Sequence, residues 1–188
     1  MQINNTSPCF KAKLITSTPI KKFNASNGNY EEFNASFVKY DVKNKNDLKA
    51  IKETSYWRSL YGPNIYEKAK ALTMDYFNEM NDKIYILTKQ KNNFEDLKVE
   101  DILGMTDVEL KKNFYKESIL EVHRLQVDTD LIGKEKPEFK HVGTAILNVL
   151  KKFNKIIELN SVPSAVNFYR KNGFKEFESL SLRFRWNP

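Results

Sequence analysis

Lys140-His141-Val142-Gly143-Thr144-Ala145 and, further on, Ser164-Ala165-Val166-Asn167-Phe168-Tyr169-Arg170-Lys171-Asn172-Gly173-Phe174 are the stretches whose reading decides the fold. From the first, the apolar residues Val142, Ala145, Ile146, Val149, Leu150 and Phe153 recur at helical spacing and share one face. Gly143 therefore falls in a first helical turn, where amides lack intrahelical partners and the helix dipole is positive. Small residues there, Gly143 and Ala145, leave room for an anion such as a pyrophosphate to approach bare backbone. The second stretch reads as a short, sharply bounded helix. Pro163 suits its first turn, Ala165, Val166, Phe168 and Tyr169 give it an apolar side, and Gly173 stops it before Phe174 opens a strand.

Working outward, residues 9–23 and 30–41 read as two strands joined by the turn-rich Asn24-Ala25-Ser26-Asn27-Gly28-Asn29, a long hairpin whose second arm enters the main sheet. One helix begins at Asn46-Asp47 and carries Leu48, Ile51 and Trp57. Another opens at Asn64 and runs through Ile65, Ala69, Leu72, Tyr76 and Phe77, with Tyr61-Gly62-Pro63 between the two. Lys83–Thr88, Ile102–Leu110 and Ser118–Asp128 are strand candidates, as are Lys155–Leu159, Phe174–Phe177 and Ser181–Trp186. In the strand from Ser118, alternation puts Glu121, His123, Leu125 and Val127 on one face.

The two quoted stretches resemble the GNAT family of acyl-CoA-dependent N-acetyltransferases. Its pyrophosphate motif, Arg/Gln-x-x-Gly-x-Gly/Ala, is matched by Lys140 to Ala145, with Lys140 keeping the charge but losing the planar fork of arginine. Its later motif, Ala-x-x-Phe-Tyr-x-x-x-Gly-Phe, is matched without a gap by Ala165 to Phe174. The likeness covers roughly residues 36–188, and its specific part is 119–174. It implies an α/β fold of α+β type, a mixed and strongly twisted central sheet flanked by helices, here with an extra N-terminal hairpin arm over 1–35. The whole of 1–188 is then one domain, with 119–174 as its acyl-CoA-binding core.

The resemblance also implies a chemistry: transfer of an acetyl group from acetyl-CoA directly to an acceptor amine. Tyr169 takes the place of the tyrosine that protonates the departing thiolate, and Glu121 that of a glutamate which withdraws the amine proton, commonly through a water. His123, an imidazole that ordinarily titrates near neutrality, is the rival base. Leu125-Gln126-Val127 resembles the segment that pairs with the pantetheine arm, and Val127 N–H is the family-like donor to the thioester carbonyl. Asn160, Ala165 and Phe168 complete the expected coenzyme contacts with Lys140, His141, Val142, Gly143, Thr144, Ala145 and Tyr169. Between Val127 and Lys140 the chain carries a longer connection than the family's, Asp128 to Phe139, bordering the coenzyme mouth. The rival function is a non-catalytic module that binds acyl-CoA and serves as a sensor or interaction module.

Composition bounds the alternatives. With 188 residues, 40% of them hydrophobic, the chain can bury a core as one unit. The single Cys9 excludes an internal disulfide and fits a reducing compartment. Neither a basic start followed by an apolar run nor a membrane-length apolar stretch is present, so the expected location is cytoplasmic, without a membrane partner. The formal charge of +7 comes from lysines interleaved with acids rather than from a basic block with aromatics, which argues against nucleic acid and suits steering of a polyanionic coenzyme. The spacing of His, Cys and carboxylates suggests no metal site. The expected partner is an amine-bearing acceptor, and the expected assembly a monomer or homodimer.

Overall fold

The structure, a computed structural model, describes residues 12–40, 45–57, 65–72, 82–92, 94, 97–113, 115–178 and 181–188. Cys9, Tyr61-Gly62-Pro63, Asn64, Tyr76 and Phe77 lie outside these residues. The hairpin forms from β1 (Lys13–Asn24) and β2 (Asn29–Tyr40). Its turn is closed by asparagine chemistry. Asn24 Oδ1 accepts from Ser26 N–H at 3.0 Å, Asn27 Oδ1 accepts from Asn29 N–H at 2.9 Å, and Gly28 supplies the left-handed residue at φ +70°. Glu31 receives the Asn24 and Asn27 amides, which lower its pKa.

The chain then forms α1 (Lys45–Glu53), α2 (Ile65–Leu72), β3 (Asp82–Thr88), β4 (Ile102–Lys112), β5 (Ser118–Val127), β6 (Phe139–Lys140), α3 (Val142–Lys151), β7 (Ile156–Asn160), α4 (Val166–Lys171), β8 (Lys175–Glu178) and β9 (Arg183–Trp186). Among the described residues nine strands make one sheet, in the order β6-β1-β2-β3-β4-β5-β7-β9-β8. Every neighbouring pair is antiparallel except β5 and β7, which run parallel because α3 crosses between them. The mixed sheet expected from the sequence is therefore present, and β6 adds a pairing the sequence did not suggest.

Both faces of the sheet are covered. Ala145, Ile146, Val149 and Leu150 of α3 and Tyr169 of α4 pack with Phe37, Leu87, Val108 and Val122 on one face. Ala50, Ile51 and Trp57 with Ile65 and Ala69 of α2 pack on Val38, Ile86 and Met105 on the other. Each valine, leucine, isoleucine, phenylalanine or methionine among them, fully buried, stabilises by about 1.5–3 kcal/mol before entropy is counted. Gly104 on β4 is needed for this: an added Cβ would lie 3.0 Å from both Ile146 and Val142. α3 ends at Lys151, so Phe153 lies beyond it, half-buried against the same core. Lys151 donates to the Asn172 carbonyl at 2.6 Å, joining the ends of α3 and α4, and its burial lowers its pKa.

Candidate active site

β5 and β7 are paired only from Ile119–Ile156 to Val122–Leu159, yet β5 continues to Val127. Past Val122 the two strands therefore part, and a fork opens in the sheet. Asp128 N–H donates to the Leu103 carbonyl on the β4 side. Because successive backbone groups of a strand alternate sides, the N–H and C=O of Val127 and Leu125 point the other way, into the fork. These are strand-edge groups with no strand opposite among the described residues.

On the α3 side the fork meets a groove of about 630 Å³. Leu125 and Val127 form its floor, Lys140, His141, Val142, Gly143 and Thr144 one wall, and Ser164, Ala165, Phe168 and Tyr169 the other. The wall at α3 has a particular backbone. His141 sits at φ +66°, the left-handed conformation in which a side-chain-bearing residue costs roughly 1–2 kcal/mol. Ala145 N–H makes the first helical bond, to the His141 carbonyl at 2.8 Å. The amides of Val142, Gly143 and Thr144 therefore have no intrahelical acceptor, and all three residues line the groove. Gly143 has a second reason to be glycine, since a Cβ there would come 3.0 Å from Phe168 Cζ.

α4 is short because both ends are set. A 3-10 turn at Pro163–Ala165 leads in, with proline in its first turn. At the other end Phe174 N–H donates to the Tyr169 carbonyl and Gly173 N–H to Arg170, with Gly173 at φ +79°, the Schellman pattern. The phenol is thus on a backbone clamped by its own helix stop. Its ring lies among Phe168, Phe174 and Phe184, at centroid distances of 5.1, 5.9 and 6.1 Å. Burial pushes its pKa up to about 12.

The opposite face of β5 is charged. A β-bulge falls where Asp107 pairs with Arg124 but Val108 pairs with Val122, leaving His123 as the extra residue. The bulge reverses the alternation. Glu121 and His123 do not share the face of Leu125 and Val127, as a regular strand would require; Leu120, Val122, Leu125 and Val127 lie together in the α3-side core, and His123 falls on the far side with Glu121. There His123 Nε2 meets Glu109 Oε2 at 3.2 Å, and the Lys111 ammonium is in direct contact with Glu121. Arg124 pairs with Asp107 at 2.9 Å, the aspartate being fully buried. Glu109, Glu121 and His123 bring their ligand atoms within 4.8 Å of one another, a trio not suggested by the sequence, but one of its carboxylates already holds the Lys111 cation.

Three of the residues expected to contact the coenzyme do not line the groove. Ala145 is buried in the core beneath the groove and does not line it. Asn160 is exposed at the end of β7, in register with Arg183. The Gln126 side chain accepts from Ile65 N–H on the α2 side, at 3.1 Å. In exchange the groove takes Leu131, Ile132, Pro137 and Phe139 from the long connection. Their apolar character within an otherwise charged loop was the available signal.

Solved structures share this architecture. A protein of the GNAT family from Desulfovibrio desulfuricans superposes with a TM-score of 0.55 at 11% identity, over 81% of this chain and 98% of that one. The chain has the GNAT fold. An acetyltransferase from Trypanosoma brucei matches with a TM-score of 0.53 at 15% identity, covering 77% and 94% of the two chains. The N-acetyltransferase YlbP of Bacillus subtilis, solved in complex with coenzyme A, matches with a TM-score of 0.50 at 14% identity over 77% and 91%. By sequence alone, no protein-family model and no curated protein matches. In the GNAT fold as this chain builds it, the forked strands, the bare amides of α3 and the Tyr169 phenol converge on one groove. Among the described residues, no helix is long and apolar enough to cross a membrane.

Proposed function

We propose that the protein is an N-acetyltransferase that moves the acetyl group of acetyl-CoA directly to an acceptor amine. The observation that carries this reading is the groove itself, which runs from three amides at the start of α3, along an unpaired strand edge, to a buried phenol. A pyrophosphate at the α3 amides would be held by backbone donors and the helix dipole. The pantetheine arm would hydrogen-bond along Leu125 and Val127 as a substitute strand, with Val127 N–H directed at the thioester oxygen. The B. subtilis structure with coenzyme A gives the same fold a matching ligand.

The chemistry then divides across the sheet. The amine nitrogen attacks the carbonyl carbon, the C–N bond forms, the C–S bond breaks and the electron pair leaves on sulfur. Tyr169 gives that sulfur a proton, and Glu121, on the far face, receives the one lost by the amine. A phenol near pKa 12 stays protonated throughout the physiological range, as a donor must. Against a thiol of pKa about 8.5 in water, full transfer would be uphill by about 5 kcal/mol. The same dry groove raises the proton affinity of the thiolate, so the two pKa values move together, and the hydrogen bond to the departing sulfur forms before transfer.

Two measurements test the reading. Acetyl-CoA should raise the melting temperature, by about 2.7 kcal/mol of stability at a hundredfold excess over its Kd. Thiol release should then follow with at least one member of an amine panel of peptides, polyamines, amino sugars and amino acids. Stabilisation without release from any amine would leave a coenzyme-binding module, and no stabilisation would overturn the reading altogether.

A further inference from the structure

β6 is two residues long and ends where the groove wall begins. Lys140 is the register partner of Lys21 on β1, and Phe139 that of Lys22. Phe23 N–H donates to the Glu138 carbonyl at 2.8 Å, and the Tyr30 hydroxyl to the Pro137 carbonyl at 2.7 Å. Every residue from Pro137 to Lys140 is therefore fastened to the N-terminal hairpin, and both ends of that run line the groove. The hairpin is tied to the site through this run.

Tyr30 has a second contact. The Lys140 ammonium stands 4.0 Å from its ring centroid, within cation–π range. Residues opposite each other in an antiparallel pair project to the same face, so Lys21 and Lys140 stand side by side. Like charges in that position repel unless an anion lies between them. Neither lysine forms an ion pair among the described residues. Glu32, opposite Lys21 on β2, is bonded to neither, and Glu138 turns to Lys22, at 3.9 Å. Lys140 also lines the groove beside the row of helix amides, so the pair of cations is tied to the site through it.

We propose that the N-terminal hairpin is the outer wall of the acyl-CoA groove, with Tyr30 as the positioning residue that holds Lys140 so that Lys140 and Lys21 receive phosphates at the nucleotide end of the coenzyme. This rests on the acyl-CoA reading above. It assigns the hairpin a part in coenzyme binding. It also divides the coenzyme electrostatically: the α3 amides take one anionic group, and Lys21 with Lys140 another that backbone donors alone do not reach.

The test compares acetyl-CoA with S-acetylpantetheine, a donor of the same thioester without phosphates. Tyr30→Leu should raise the KM for acetyl-CoA about tenfold while kcat falls less than threefold, so that the preference for acetyl-CoA over S-acetylpantetheine drops about tenfold. Tyr30→Phe keeps the ring beneath Lys140 and should retain most of that preference. Lys21→Met, a change at an exposed side chain, should lower it about threefold and flatten the salt dependence of CoA binding, which keeps the comparison available if Tyr30→Leu fails to fold. Equal losses with both donors, or unchanged CoA affinity in all three variants, would overturn the role of the hairpin alone. Failure of the wild-type protein to bind CoA in calorimetry would overturn the acyl-CoA reading with it.

Discussion

On the α3 side of β5, Leu125 and Val127 floor a mainly apolar groove walled by the start of α3 and by Tyr169; on the opposite side, Glu121, His123 and Arg124 stand in a network of charges with Glu109, Lys111 and Asp107. One strand separates the two environments, and the bulge at His123 keeps them apart by collecting the charged side chains on one face. The contrast suits a two-substrate transfer. In the proposed transfer, the mainly apolar groove would align the thioester and strengthen hydrogen bonds to it, whereas the charged face would take a proton from the incoming ammonium and release it to solvent.

Removing the buried end of the charged network should produce the largest effect. Arg124→Ala leaves the fully buried Asp107 without its guanidinium and should cost about 3–5 kcal/mol in denaturant unfolding. If stability changes by less than 1 kcal/mol, the pair is better solvated than its burial implies, and the charged face is less distinct than drawn.

The groove face is tested at Tyr169. Tyr169→Phe should lower kcat about a hundredfold, or about 2.7 kcal/mol, with little change in CoA affinity. Equal loss of both would make the residue a packing element. The same variant bears on alkaline stability. The folded pKa of about 12 lies above the ordinary value of 10.0, so the unfolded chain ionises first. The stability contributed by the neutral phenol is intact below pH 10 and is lost as pH rises through 12, and Tyr169→Phe should remove that part of the decline in thermal melts.

The smallest effect separates members of the charged face. Glu121→Gln should move the pH optimum of kcat/KM upward, if the carboxylate is the proton acceptor beside its Lys111 partner. An unmoved optimum, together with a shift in His123→Asn, would transfer the role to the imidazole held by Glu109.

Much of this molecule was legible from residue order. Helical spacing from Val142, the small Gly143, the Pro163 and Gly173 boundaries and the asparagine-rich turn at 24–29 are local signals, because caps, turns and amphipathic faces depend on neighbours a few residues apart. They placed most elements of the fold and one end of the groove. What needed the third dimension was of another kind. The bulge at His123 arises from pairing with Asp107 and Val108, so alternation within β5 alone assigned Glu121 and His123 to the wrong face. The crowding of Gly143 by Phe168 and the seam joining the hairpin to Pro137–Lys140 both involve partners distant in sequence. Periodicity reports which face a residue prefers. Only cross-strand register and packing decide what that face meets, since those energies belong to pairs the linear order does not bring together.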